Sequence, residues 1–167
     1  AVLHKDGNLD GAVTSTMSKY VDEELIPCLI ELGTKYELDG AWVDGECWAV
    51  ETSWRKEELE EFYKESSIKN VDPDNTDSKE YAAYVDFWRK NFRKYLKHYM
   101  SEVHKKCPNF EMTSNFSFSQ QMPEKPIDEI NFLSGDTVGS EGRLCVRSYA
   151  HLEKPWDAMS YGQSGMY

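Results

Sequence analysis

Apolar positions along the chain switch between a helical period and short unbroken runs. From Lys19 to Tyr36, the residues Leu25, Leu29, Leu32 and Tyr36 recur at i, i+4, i+7 and i+11, which is one face of a helix. Ser18 stands at the cap position, and Asp22, Glu23 and Glu24 fill the first turn, where the helix dipole favours acids. Pro27 interrupts the pattern and predicts a kink if it lies within the helix. The clearest helical pattern runs from Asp77 to Lys106, with Tyr81, Tyr84, Val85, Trp88, Phe92, Tyr95, Leu96, Tyr99 and Val103 on one side. Asp77 and Glu80 have capping-box spacing, Lys105 and Lys106 occupy the last turn, and Pro108 stops it. The stripe predicts packing against a sheet. Two further helices are expected, one from the composition of the stretch between Trp54 and Ser66 and one over Ser140 to Glu153, ended by Pro155.

Between these lie short apolar runs that read as strands: Ala1–His4, Gly40–Val43, Phe110–Ser114, Ile130–Ser134 and Trp156–Ser160. The breaks in the KDGNLDG stretch after His4 mark a loop. Strands alternating with helices imply an α/β protein with a parallel sheet. No GxGxxG or GxxxxGK[ST] loop follows any strand, which argues against a nucleotide site. What remains is a (β/α) TIM-barrel type parallel sheet. A full barrel needs about 250 residues, so roughly five strands predict a partial barrel. Residues 1–167 are then a single domain cut from a longer chain, in keeping with an opening at AVLH rather than at Met.

In parallel α/β folds ligands bind beyond the carboxyl ends of the strands. Polar residues stand at those positions here: His4, Asp44, Glu46, Asn115, Asp136 and Ser160. The stretch LDGAWVDGECW, Leu38 to Trp48, is the most informative. On a strand, side chains alternate between faces, so Trp42, Asp44 and Glu46 share one parity. An aromatic ring and two carboxyls delivered to one place read as a site.

Charge and composition narrow the partners. The formal net charge of −11 excludes nucleic acid and anionic membrane as the main partner, since both need a basic surface. Aromatic residues make up 13% of the chain, with 5 Trp and 10 Tyr, which suits stacking on the faces of a neutral sugar. Cys28, Cys47, Cys107 and Cys145 are widely spaced, so neither a zinc site nor a disulfide framework is implied. No apolar run approaches the length of about 18 residues that spans a membrane. No cofactor is expected.

LDGAWVDGECW resembles the strand-end motif of barrel glycosidases, in particular the WFDG-like motif of the alpha-L-fucosidase family. TSNFSFSQQMP, INFLSGD and RSYAHLEKPWDAMSYG are similar to segments of large bacterial glycosidase-like barrels, in which a G-K-P-W-D-L-M phrase recurs. Here that phrase reads Glu153-Lys154-Pro155-Trp156-Asp157-Ala158-Met159. The resemblance implies a hydrolase of carbohydrate metabolism, with Asp44 as nucleophile and Trp42 as the matching aromatic. The chain departs from the motif at Glu46, where a small residue is usual, and it lacks the upstream strands of a full barrel.

Glycoside hydrolysis needs two carboxyl groups flanking the bond, about 5–5.5 Å apart in retaining enzymes and about 6.5–9.5 Å in inverting ones. With Asp44 as nucleophile, a retaining mechanism follows. Glu46 is the first choice as acid/base, because a neighbouring ionised Asp favours its protonated form. Asp136 is the other choice. His4, Trp42, Trp48, Asn115 and Trp156 are candidate sugar contacts. Two alternatives stay open: a carbohydrate-binding domain without turnover, and a divalent-metal hydrolase built on Asp44, Glu46 and Asp136. The expected partners are a carbohydrate substrate and the remainder of the full-length chain.

Overall fold

The computed structural model describes residues 1–11, 14–44, 52–115, 124–137, 139–157 and 159–160. Its elements follow the chain as β1 (Val2–Leu3), β2 (Leu9–Asp10), a π-helix (Val21–Leu25), α1 (Ile26–Lys35), β3 (Gly40–Val43), α2 (Lys56–Glu65), α3 (Lys79–Lys106), β4 (Glu111–Ser114), β5 (Asp136–Thr137), α4 (Gly139–Tyr149) and β6 (Met159–Ser160).

The helix expected over Lys19 to Tyr36 forms in two pieces, π then α, with Pro27 in the first turn of α1. Proline has no N–H to donate and tolerates a first turn, so the wider π winding precedes it in place of a kinked α-helix. Ser18 makes no cap bond. Leu29 is buried and Leu25 and Leu32 pack against the core, but Tyr36 is 58% exposed, because the helix has ended before it. The long helix α3 has the predicted extent. Its cap is Ser78, whose hydroxyl accepts from Tyr81 N at 3.1 Å, rather than Asp77.

α3 carries two cores. Toward its N-terminus, Tyr84, Phe87 and Trp88 enclose Phe62 of α2 together with Val71. The Phe62 ring lies 5.0 Å from Tyr84 and 5.3 Å from Phe87, the latter edge to face, within the range where aromatic pairs gain energy beyond area burial. Toward its C-terminus, Phe92, Leu96, Tyr99, Met100 and Val103 pack with Leu29 of α1, Met112 of β4, Ile130, Leu133, and Cys145 and Tyr149 of α4.

The (β/α) TIM-barrel expectation, including its partial form, is overturned. The described strands form three two-stranded sheets, β1–β2 antiparallel, β3–β4 parallel and β5–β6 parallel. Two isolated parallel bridges, Asn115↔Ser134 and Leu133↔Trp156, extend the pairing. No eight-stranded parallel sheet exists among the described residues. The physical reason for the first departure is local. Gly7 adopts φ +85°, His4 N donates to Asn8 O at 2.9 Å, and Gly7 N donates to His4 O at 3.0 Å. This tight turn sends the chain back on itself, so β1 takes β2 as an antiparallel partner. The INFLS run supplies only bridges, at Leu133 and Ser134, and its ladder forms later, over β5, whereas the WDAMS run bridges at Trp156 and ends in β6.

β3 and β4 run in the register Gly40↔Glu111, Ala41↔Met112, Trp42↔Thr113 and Val43↔Ser114. The register is pinned sterically at its start. A Cβ on Gly40 would stand 2.2 Å from the Glu111 carbonyl oxygen. Gly40→Ala is therefore expected to destabilise the protein by about 3 kcal/mol. Gly33→Ala is the contrast. Its Cβ would meet the Cys107 sulfur and the Phe110 ring at 3.0 Å, both side-chain atoms, and a gain in helix propensity of about 1 kcal/mol offsets the crowding. Urea unfolding should separate the two variants, and equal losses would contradict the backbone clash at Gly40.

Candidate functional site

The parallel ladder brings two of the predicted residues together. Asp44 follows β3 and Asn115 follows β4, and Asn115 N donates to Val43 O at 3.2 Å, which carries the pairing one residue past the ladder. The Asn115 side-chain amide then donates to the Asp44 carboxylate at 3.0 Å. Asn115 is 5% exposed, whereas Asp44 faces solvent. A buried amide therefore orients an exposed carboxylate at the carboxyl end of two parallel strands.

Beneath this pair the strand ends are polar and buried. Thr113, Ser114 and Ser134 are all buried. Thr113 Oγ1 donates to Phe132 O at 2.6 Å, and Asn131 Oδ1 accepts from Met112 N at 2.9 Å. These bonds tie β4 to the stretch that leads into β5. The Ser114 hydroxyl and the Trp42 indole N–H are buried without a hydrogen-bond partner. Buried polar groups without partners are uncommon and cost roughly 1–3 kcal/mol each.

Asp136 lies two residues past Ser134, the bridge partner of Asn115, and pairs along the backbone with Met159. Its backbone thus follows the strand beside Asn115 on the side away from Asp44, and its side chain lies outside the described residues. Glu46 and Trp48 also lie outside them. Trp42 sits in β3, half-buried, opposite Thr113. Trp156 is 42% exposed, bridges Leu133, and has its ring 6.4 Å from that of Tyr149.

His4 goes to a different neighbourhood. Its Nε2 lies 3.2 Å from Asp10 Oδ2, an ion pair whenever the imidazole is protonated. It lines a cleft of about 500 Å³ with Lys5, Asp6, Trp54 and Tyr81, and Asp44 is not among the lining residues. The Trp54 and Tyr81 rings have centroids 6.1 Å apart and planes 30° apart, which makes a broad half-exposed aromatic surface. Trp54 is held there by the backbone bond from its N to Leu3 O at 2.8 Å and by its ring against Tyr84 at 5.2 Å. Burial pushes the Tyr84 hydroxyl well above its ordinary range, and that hydroxyl donates to Ser53 O. Sequence reasoning placed Tyr81 in the core stripe of α3 and Trp54 in a helix. Both rings pack half-buried against the aromatic core, Trp54 two residues ahead of α2, and no local signal marked either for the cleft.

Among the described residues, no group of three or more His, Cys, Asp or Glu side chains is gathered as a metal site, and no helix is long and apolar enough to cross a membrane. No family model matches the chain, and no curated protein or solved structure matches it.

The contact between Asn115 and Asp44 has a testable electrostatic consequence. Asn115→Asp replaces an amide donor by a second carboxylate beside Asp44, and like charges at this distance raise the apparent pKa of the pair in the folded state. Acids whose folded pKa is raised favour the folded state at low pH and lose that contribution as pH rises. The variant should therefore be closest to the parent near pH 4 and about 1–2 kcal/mol less stable relative to it by pH 7. Urea midpoints across that range check this. A pH-independent difference would mean that the two side chains do not interact.

Proposed function

We propose that the chain is a glycoside hydrolase, or the part of one that carries its nucleophile, and that Asp44 is that nucleophile. The observation that supports this most is the 3.0 Å bond from the buried Asn115 amide to the Asp44 carboxylate, at the paired carboxyl ends of β3 and β4. A nucleophilic carboxylate must be accessible to the sugar and yet hold one orientation, because an attacking oxygen needs a near-attack position rather than a sampled one. Asp44 is exposed, and the amide behind it supplies the orientation.

In this reading Asp44 attacks the anomeric carbon, and the glycosidic bond breaks as a second carboxyl group protonates the leaving oxygen. Water then cleaves the glycosyl ester, and the same second group takes the proton from that water. Glu46 and Asp136 are the two choices for the second group. Asn115 is a positioning residue rather than a sugar ligand, since its amide is engaged with Asp44. The aromatic cleft at His4, Trp54 and Tyr81 favours one further reading, carbohydrate binding without turnover, because aromatic faces flanked by polar groups suit sugar rings.

Asp44→Ala in the full-length protein is expected to lower hydrolysis of an aryl glycoside by at least about 10³-fold, with azide restoring turnover as a glycosyl azide of defined anomeric configuration. Full activity in Asp44→Ala rules out the nucleophile. If the parent binds oligosaccharide but hydrolyses no glycoside across a panel of aryl glycosides, the binding reading replaces the enzymatic one. Glu46→Ala and Asp136→Ala, compared on substrates with good and poor leaving groups, identify the acid/base: its loss hurts the poor leaving group more.

A further inference from the structure

A cleft of about 440 Å³ runs beside α3, with Lys90, Arg93, Lys94 and Lys97 on one wall and residues 126–129 on the other. Neither Asp44 nor His4 lines it. The second wall is fixed against the helix. Arg89 bonds Glu124, Arg93 donates to the Lys125 carbonyl oxygen at 2.5 Å, and the Ser101 hydroxyl donates to Glu129 at 3.2 Å. The four cations stand at i, i+3, i+4 and i+7, so each has two like-charged neighbours on the helix surface. Such pairs destabilise a helix, and they occur here in a chain with 30 acids against 19 bases. Carboxylates reach two of the four, and loosely: Glu65 lies 3.8 Å from Lys94 and Glu129 3.6 Å from Lys97, both beyond hydrogen-bond length. Asp86, one turn before Lys90, is taken by Arg89 at 3.0 Å. Among the described residues, no carboxylate comes within ion-pairing distance of Lys90 or Arg93, and the partner of Arg93 is a neutral carbonyl.

We propose that this cleft seats a doubly charged phosphate group, free or as the ester of a small molecule, with Arg93 as its fork and Lys90 and Lys94 beside it. The charge balance holds when the surroundings are included. Four cations face three carboxylates, those of Asp128, Glu129 and Glu65, and Glu129 is already engaged by Ser101 and Lys97. A guanidinium carries five N–H donors in one plane. The bond to the Lys125 carbonyl uses Nη1 and holds that plane. The N–H groups of Nε and Nη2 remain, and a guanidinium edge of this kind meets a phosphate in two parallel bonds. Lys90 and Lys94 lie within one turn of Arg93 on the same wall, both exposed, and each brings an ammonium. A dianion seated among them relieves the repulsion along the helix more than a monoanion does. The volume falls at the small end of the range for organic ligands, about 300–1,000 Å³, and half-buried Pro126 offers an apolar surface to the carbon side of an ester. The inference stands independently of the hydrolase reading.

The test is an NMR titration of the ¹⁵N-labelled full chain with sodium phosphate, with sodium chloride at equal ionic strength as control and phenyl phosphate as the ester. The expected result is a saturable shift of the Arg93 Nε–H signal and of the backbone amides of residues 127–129 with phosphate and none with chloride. Arg93→Gln should weaken binding at least about tenfold and Lys90→Gln several-fold. Lys90 is exposed and has no carboxylate partner to lose, so Lys90→Gln reads the site even if Arg93→Gln disturbs the fold. Lys105→Gln, in the last turn of the same helix and outside the cleft, should leave the affinity unchanged. Tighter binding of phenyl phosphate than of phosphate assigns the site to an ester, and equal or weaker binding assigns it to the free ion. No saturable shift, an equal response to chloride, an unchanged affinity in Lys90→Gln and Arg93→Gln, or the same loss in Lys105→Gln as in Lys90→Gln overturns the proposal.

Discussion

The parallel pairing of β3 with β4 depends on one close approach. Gly40 presents no side chain to the Glu111 carbonyl, and nothing larger fits at that spacing without moving a backbone. The register that follows carries Val43 alongside Ser114 and so brings Asp44 within reach of the Asn115 amide. A four-residue two-stranded ladder is weak by itself, because isolated strand pairs bury too little apolar surface to offset the entropy of ordering them. Here β4 is anchored from below. Met112 lies in the core shared by α1 and α3, and Asn131 bonds the Met112 backbone from the other edge, accepting from its N and donating to its O. A steric exclusion at one end, a buried core beneath and an amide–carboxylate bond at the other end therefore act on the same register.

α3 links that ladder to the rest of the molecule. Twenty-eight residues of helix extend about 42 Å, too long for one small core to cover, and its buried stripe changes partners partway along. The aromatic half holds α2 and, through Tyr84 and Ser53, the segment that bonds β1; the other half holds α1, β4 and α4. The His4 cleft rests on the first half and the Asp44–Asn115 pair on the second. A single stiff element thus relates the two candidate sugar-contacting regions, and a change in the packing of either half is felt at one before the other.

The helices were legible in the sequence because a helix is a local object. Its period, its caps and its stop all lie within a few turns of the residues concerned, and α3 runs as Tyr81 through Val103 predict. The cap residue moved by one, from Asp77 to Ser78, since both side chains can accept from the same turn and only geometry decides between them. Strand pairing was not legible in the same way. Alternation of strands and helices suggests parallel neighbours but does not name them, and the Asp6–Gly7 turn, read as a loop, builds a hairpin that removes β1 from any parallel arrangement. Gly40 shows the same limit. One glycine in an apolar run carries no local mark that a carbonyl from residue 111 occupies the space beside it.

The site was legible in part, and the part that was missed alters its chemistry. The parity of Trp42, Asp44 and Glu46 drew attention to the end of β3, and Asp44 does stand exposed there. Asn115 was read as a residue that meets a substrate hydroxyl. Asn115 is buried and its amide bonds Asp44, a contact that no spacing rule could assign because 71 residues separate the two. An amide in that position constrains what Asp44 can do. It ties one oxygen of the exposed carboxylate to the paired carboxyl ends of β3 and β4. The backbone of Asp136 follows the strand on the far side of Asn115, so Asn115 stands between Asp44 and the Asp136 backbone across the strands. The bond between Asn115 and Asp44 thus ties β3 to β4 at the edge where the next strand begins.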